Sequence, residues 1–105
     1  MDELKKKRFN GNDYYKAYID ENTNAVYIVP KPINFEEAKI RMNSGLNVYT
    51  ILGPRAFDLA NSAGGAVIGP KNHADTSKKP GIYYSHYHPW HRKCHIFYGT
   101  PTIVP

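Results

Sequence analysis

At 105 residues the chain is long enough for one domain with a single modest core. Its formal charge of +5 favours a polyanionic partner, either a nucleic acid or an acidic protein. The single cysteine, Cys94, excludes an intrachain disulfide and a Cys-rich zinc site. No apolar run approaches the roughly 18 residues of a membrane span, and no signal-peptide pattern is present, so we expect no membrane segment.

The N-terminal third predicts a tail, a hairpin and a helix. Residues 1–8 end in four consecutive cations and are expected to form a flexible basic tail. Residues 14–19 and 25–29 read as strands around a polar turn, which predicts a β-hairpin. Asn34 followed three residues later by Glu37 is a capping box that predicts the start of a helix.

The middle of the chain predicts the second helix. Residues 47–51 form a brief β-prone run, and Pro54 then suits the first turn of a helix that ends at Gly64-Gly65. Residues 66–68 are predicted as a short strand. The apolar stripe of the first helix is predicted to be Phe35, Ala38 and Met42, and that of the second Leu52, Ala56, Leu59, Ala60 and Ala63.

The C-terminal third predicts a polar loop and a second hairpin. Residues 69–80 form a loop that serves either a functional role or a plain surface connection. Residues 82–88 and 94–99 read as strands joined by a short turn. The element order ββαβαβββ indicates a single α+β domain over residues 1–105. In it, two helices pack on a mostly antiparallel sheet, with an N-terminal hairpin and a C-terminal β-hairpin that carries the histidines.

Four of the five histidines lie in one ten-residue span of this second hairpin, residues 86–95. Because side chains alternate along a strand, His86 and His88 share one face of the sheet. His95 joins that face if it pairs with His88, a register in which His86 pairs with Phe97. A shift by one residue would turn His95 to the other face, and the sequence leaves both registers open.

Three interpretations of the cluster follow. In the first, a metal-independent ribonuclease uses His86, His88 and His95 as its general acid and base. A cation would then stabilise the phosphate charge, and aromatic rings would stack on unpaired bases. The candidate substrate contacts are Lys93, Arg92, His91, Tyr84, Tyr98, Lys71 and His73.

In the second interpretation the histidines bind a divalent metal. The spacings His86-x-His88 and His91-x-x-x-His95 suit zinc, nickel or copper in a metal-dependent nuclease or hydrolase. Of nine acidic residues, however, only Asp75 follows Asp58, whereas residues 59–105 hold five Lys or Arg. Such a basic region repels cations and attracts phosphate, so we expect a site without a cofactor. In the third interpretation the histidines are purely structural polar residues of the strands. The non-enzymatic alternative for the whole chain is a basic domain that binds RNA or protein, with an acidic protein as the expected partner.

The residues of the second hairpin also carry a resemblance to a known family. The run His86-Tyr87-His88-Pro89, followed by His95-Ile96-Phe97-Tyr98-Gly99, resembles the C-terminal toxin domains of bacterial polymorphic toxins of the RHS-repeat, contact-dependent and LXG types. Weaker similarity lies in Val48-Tyr49-Thr50, Ala60 and Ala63-Gly64-Gly65. The resemblance covers about residues 48–99, which is half of the chain.

The resemblance implies a toxin domain, and many such domains are ribonucleases of a group similar to barnase, EndoU and the colicin RNases. It further implies delivery by a bacterial secretion system as the C-terminal part of a larger protein, in interbacterial competition. RNA would be cleaved in the target-cell cytoplasm, and a cognate immunity protein, expected to be acidic, would neutralise the toxin. The leading hairpin departs from the plan of that group, in which helices come first.

Overall fold

A computed structural model describes residues 13–20, 22–23, 25–75 and 80–105 and shows the expected α+β fold. A mixed sheet of six strands carries two helices. The strands are β1 (Tyr14–Ile19), β2 (Val26–Ile33), β3 (Val48–Thr50), β4 (Ile68–Lys71), β5 (Gly81–His88) and β6 (Ile96–Val104), and the helices are α1 (Phe35–Asn43) and α2 (Gly53–Asn61). A 3-10 turn at His73–Asp75 follows β4.

The strand order across the sheet is β2-β1-β3-β6-β5-β4. All neighbours are antiparallel except β3 and β6, which pair in parallel with Val48 opposite Ile96 and Thr50 opposite Tyr98. Both predicted hairpins, β1–β2 and β5–β6, are found, but β2 continues to Ile33 instead of ending at residue 29, and β6 covers Ile96–Val104 instead of 94–99. The sheet is completed at its centre, where the short strand β3 joins one hairpin to the other.

The start of α1 follows the capping pattern of the sequence. The backbone N–H of Glu37 donates to Asn34 Oδ1 at 2.8 Å, and the N–H of Asn34 donates to Glu37 Oε1 at 3.3 Å. Two of the N–H groups that have no partner within the helix are thereby satisfied. Gly45, with φ of +81°, then turns the chain away from the helix in a conformation that favours glycine.

Both helices pack on one face of the sheet, and no α-helix of the described residues packs on the other, which we call the helix-free face. Strict alternation along β1, β3 and β6 divides the buried side chains between these faces. The helix side contains Tyr14, Ile33, Ala38, Met42, Val48, Ala56, Leu59, Ala60, Cys94 and Ile96. The helix-free side contains Tyr15, Ala17, Ile28, Tyr49, Tyr84 and Phe97, and four of these six are aromatic.

The predicted apolar stripes are largely confirmed. Ala38 and Met42 of α1 are buried and Phe35 packs against them, while α2 buries Ala56, Leu59 and Ala60. Leu52 departs from its stripe and is 45% exposed, because it lies at the N-cap position, ahead of the first full turn.

The segment after α2 differs from its prediction. The strand predicted at 66–68 instead runs from Ile68 to Lys71, so the first part of the 69–80 loop belongs to the edge of the sheet. The predicted tail at 1–8 and the end of the loop at 76–79 lie outside the described residues. Within the described ranges, no helix is long and apolar enough to cross a bilayer.

The turn between β5 and β6 is fixed against the end of α2. Gly65 has φ of +73°, and a Cβ atom built on it would overlap the ring of Trp90. Gly64 has φ of +83°, but a Cβ atom there would meet nothing within 4 Å. The absence of a side chain at Gly65 therefore lets the indole lie directly on the backbone.

Candidate functional site

The register of β5 and β6 brings three histidines onto one face. His86 lies opposite Phe97 and Tyr87 opposite Ile96, which continues to place His88 opposite His95. The ring centroids of His86 lie 4.8 Å from those of His88 and His95, and the last two are 4.6 Å apart. The cluster lies on the helix-free face, next to the aromatic residues that fill it.

A fourth imidazole reaches the cluster from the 3-10 turn after β4. The ring of His73 stacks on that of His86 with centroids 5.0 Å apart and lies 6.1 Å from that of His95. Asn72 fixes this turn, because its Nδ2 donates to Ser85 Oγ at 3.2 Å and its Oδ1 accepts from the N–H of Ala74 at 2.9 Å. The sequence indicated His73 only as a substrate contact.

One nitrogen from each of three histidines converges closely enough for a common ligand. Ligand atoms of His73, His86 and His95 all lie within 4.8 Å of one another. We call these three residues together with His88 the histidine cluster. It differs from the metal spacings read from the sequence, because His73 takes part and His91 does not.

Each strand histidine of the cluster directs Nδ1 at an oxygen that only accepts hydrogen bonds. The Nδ1 atom of His86 lies 3.3 Å from the carbonyl oxygen of Tyr84, and that of His88 lies 3.2 Å from the carbonyl oxygen of Cys94. Nδ1 must therefore carry the hydrogen in these contacts, which leaves the lone pair on Nε2.

His95 is oriented in the same way by Asn47, which precedes β3. Asn47 Oδ1 accepts the backbone N–H of His95 at 2.8 Å and lies 3.3 Å from its Nδ1. The backbone donor identifies the amide atom as oxygen, so Nδ1 of His95 also carries a hydrogen. Arg41 Nε in turn donates to the carbonyl oxygen of Asn47 at 3.0 Å.

The interior nitrogen of His86 is an unsatisfied polar atom. The residue is 0% exposed, and its Nε2 is the one buried side-chain N or O atom without a partner among the described residues. Leaving such an atom unpaired typically costs about 1–3 kcal/mol of stability. The unpaired nitrogen lies among other imidazoles, where one further polar group or ion would satisfy it.

Burial keeps these imidazoles neutral. Desolvation, with the nearby charges of His88, His73 and Lys71, lowers the pKa of His86 to about 4, against an opposing hydrogen bond to Tyr84. Desolvation and the other histidines lower the pKa of His95 to about 3. The pKa of His88 is lowered for the same first reason. At pH 7 all three rings are therefore uncharged, and each has one ring nitrogen with a free lone pair.

Aromatic side chains flank the cluster on the same face of the sheet. The ring of Phe97 stacks on His95 at 5.2 Å and almost in parallel, with 4° between their planes. Tyr84, a predicted substrate contact, is buried and packs against Phe97 at 6.2 Å and Tyr49 at 5.6 Å. Its ring belongs to the core of the helix-free face.

Of the three cations predicted to contact the substrate, two lie near the histidine cluster and one is directed away from it. Lys71 lies opposite His86 across β4 and β5 and is exposed, and Lys93 is exposed two residues before His95. Arg92 points away from the cluster, since its guanidinium donates to the Trp90 carbonyl oxygen at 2.9 Å and to Asn43 Oδ1 at 3.2 Å.

Two of the predicted aromatic contacts lie apart from the cluster. His91 is exposed in the turn and packs on Trp90 at 4.5 Å. Tyr98 stacks on Tyr87 at 5.5 Å on the helix side, so the sheet separates it from the histidines. Cys94 is buried in the helix-side core, and burial raises the pKa of its thiol.

Asn47 and Arg41 are the residues that the sequence did not indicate. Neither carries a local motif, and their role arises from contacts with residues 48 and 24 positions away in the chain.

No family model, curated protein or solved structure matches this chain.

Proposed function

We propose that the histidine cluster is a transition-metal centre that cleaves phosphodiester bonds, with RNA as the substrate. The proposal is carried by the convergence of one ring nitrogen from each of His73, His86 and His95, at a place where His86 also has a buried Nε2 without a partner. Imidazole rings whose Nδ1–H groups are held by carbonyl oxygens are a common arrangement around protein-bound metals, because the contact fixes both tautomer and orientation.

The donor set fits a late first-row divalent ion such as zinc, nickel or copper. Zinc–nitrogen bonds of about 2.0–2.1 Å place neighbouring nitrogens of a tetrahedral site about 3.4 Å apart. The nitrogens of His73, His86 and His95 lie within 4.8 Å of one another, so modest ring movements would complete the site. His73 is the exposed member and has the most freedom to adjust.

An ion held there would supply Lewis acidity and lower the pKa of a bound water. The protein's own residues have three further tasks. Asn47 holds His95 in one tautomer. Phe97 and Tyr84 cover one side of the cluster against water, and the exposed Lys71 offers a cation to a phosphate group beside His86.

Metal-free acid–base cleavage of RNA remains the second candidate, and the scarcity of carboxylates after Asp58 favours it. It needs one imidazolium as general acid. With a pKa of about 4, His86 would be protonated in about one molecule in a thousand at pH 7. The metal-dependent route has no such requirement, and for this reason we place it first.

The deciding experiment compares single-stranded RNA cleavage by purified protein with and without a chelator. We expect EDTA to abolish cleavage and stoichiometric Zn²⁺, Ni²⁺ or Cu²⁺ to restore it. Full activity in EDTA would select the metal-free mechanism, and no cleavage under any condition would favour a binding domain instead.

Two exposed histidines form a matched pair for the site itself. His73→Ala removes a cluster nitrogen, whereas His91→Ala removes an imidazole that packs on Trp90. We expect loss of metal binding and cleavage in the first variant and wild-type behaviour in the second. Equal activity in both variants would refute the assignment of the site.

We further propose a toxic role in bacterial cells, in line with the resemblance of the second hairpin to polymorphic toxins. Expression inside bacteria followed by inspection of total RNA and DNA tests it. Degraded rRNA or tRNA would support RNA as the substrate, whereas nicked DNA with intact RNA would reassign it. Unimpaired growth with both nucleic acids intact would contradict the toxic role.

A further inference from the structure

A groove lies at the end of the sheet where β1 finishes and β3 and β6 begin. Its volume is about 370 Å³, near the lower end of the roughly 300–1,000 Å³ typical of small-ligand sites. The residues that give it chemical character are Tyr18, Arg41, Leu46, Asn47, Lys93 and His95.

The groove is positively charged. Arg41 and Lys93 both line it, and no Asp or Glu is found among its lining residues in the described part of the chain. Lys93 is exposed, so its ammonium group is free to reach a bound anion. Two cations without a neighbouring carboxylate attract a phosphate group.

Arg41 is held in place before any ligand arrives. Its Nε donates to the Asn47 carbonyl oxygen at 3.0 Å and its Nη2 to the Ala17 carbonyl oxygen at 3.1 Å, while the guanidinium lies 5.1 Å over the ring of Tyr18. These contacts leave Nη1 for a ligand. A preorganised guanidinium loses little entropy on binding phosphate, which strengthens the interaction.

The groove and the histidine cluster share a residue. His95 lines the groove and lies 4.8 Å and 4.6 Å, between ring centroids, from His86 and His88. Asn47 also lines the groove and fixes the ring of His95. A chain of phosphates in the groove would therefore lead directly to the cluster.

We propose that this groove binds a single-stranded polynucleotide next to the cleaved bond, with Arg41 and Lys93 on consecutive phosphates. This inference rests on the proposed function and deepens it by naming the substrate's path. The small volume admits about one nucleotide, and Tyr18, 48% exposed at the wall, offers an aromatic ring to an unpaired base. A duplex has no unpaired base to stack on Tyr18 and is too wide to enter the groove.

The test measures the affinity of a fluorescent single-stranded 2′-O-methyl oligoribonucleotide by anisotropy, in EDTA so that no cleavage intervenes. Lys93→Glu reverses one groove cation, and Lys31→Glu makes the same charge change on β2, where the neighbouring Pro32 pairs with Tyr15 and not with the groove end of β1. Both lysines are exposed, so neither substitution disturbs the core.

We expect Lys93→Glu to bind the oligonucleotide roughly tenfold more weakly, the order expected for one lost charge-assisted contact. The slope of log affinity against log salt concentration should decrease by the amount that corresponds to about one phosphate contact. Lys31→Glu should bind within about twofold of wild type, since remote surface charges are largely screened. Equal losses in the two variants, or equally tight binding of duplex RNA, would overturn the inference.

A second measurement separates this inference from the proposed function. His73→Ala should retain wild-type affinity for the oligonucleotide while losing cleavage, because His73 lies outside the groove. If His73→Ala cleaves normally, the metal centre is wrong and the groove can still stand. If Lys93→Glu binds and cleaves like Lys31→Glu, the groove is wrong and the metal centre can still stand.

Discussion

Acidification should destabilise the metal-free protein through His86. Burial lowers the pKa of this imidazole to about 4, whereas in the unfolded chain it titrates near about 6.5. As the pH falls below about 6.5, His86 binds a proton in the unfolded chain but stays neutral in the folded protein. The free energy of unfolding therefore decreases until the pH reaches about 4, where it levels off. Between pH 7 and pH 5 the loss from this one group is about 2 kcal/mol.

The assay is urea unfolding in EDTA at pH 7, 6 and 5, followed by tryptophan fluorescence. His86→Leu serves as the comparison, because it keeps a buried side chain and has no titratable group. We expect the free energy of unfolding of wild type to fall by about 2 kcal/mol more than that of the variant over this range. Parallel curves for the two proteins would show that His86 is not protected from protonation, which would refute the reasoning.

Three further outcomes are expected. Gly65→Ala should lower the free energy of unfolding, measured by heat or urea, by about 2–4 kcal/mol because its Cβ overlaps Trp90. Gly64→Ala should lower it by only about 1 kcal/mol, because that site has the unfavourable backbone conformation alone. Similar losses in the two variants would contradict the packing of Trp90 on Gly65. Asn47→Ala should weaken zinc binding about 10–100-fold in calorimetry by releasing His95, and unchanged affinity would contradict that role. Zinc at about 100 times its Kd should raise the free energy of unfolding by about 2.7 kcal/mol, whereas no increase would contradict a folded-state metal site.

Local patterns in the sequence were sufficient for most of the fold. The capping box at Asn34, the apolar stripe of α2 from Ala56 to Ala60 and the placement of Tyr84 and His86 on one face of β5 each depend on a few residues, and each is found as predicted. The position of β3 and β6 side by side was not predictable in this way. Their pairing joins residues 48 apart in the chain, and no local signal specifies such a contact.

The site was predicted in part for the same reason. Strand periodicity placed His86 and His88 on one face, but only the observed register of β6 adds His95. His73 approaches through a 3-10 turn inside a segment that read as an irregular loop. Asn47 acts across the central strand pair, so its contact with His95 became visible only in the assembled sheet.

The order of the strands also bears on when the histidine cluster can assemble. Among the described strands β6 comes last in sequence, yet it lies inside the sheet between β3 and β5. A chain in which β6 has not docked has two separate groups of strands, and His95 lacks its place between them. All four clustered histidines precede β6 in the chain, and His95 comes directly before it, so His95 takes its place only when β6 pairs with β3 and β5. The topology thus makes assembly of the histidine cluster depend on the pairing of β6 with both of its neighbours.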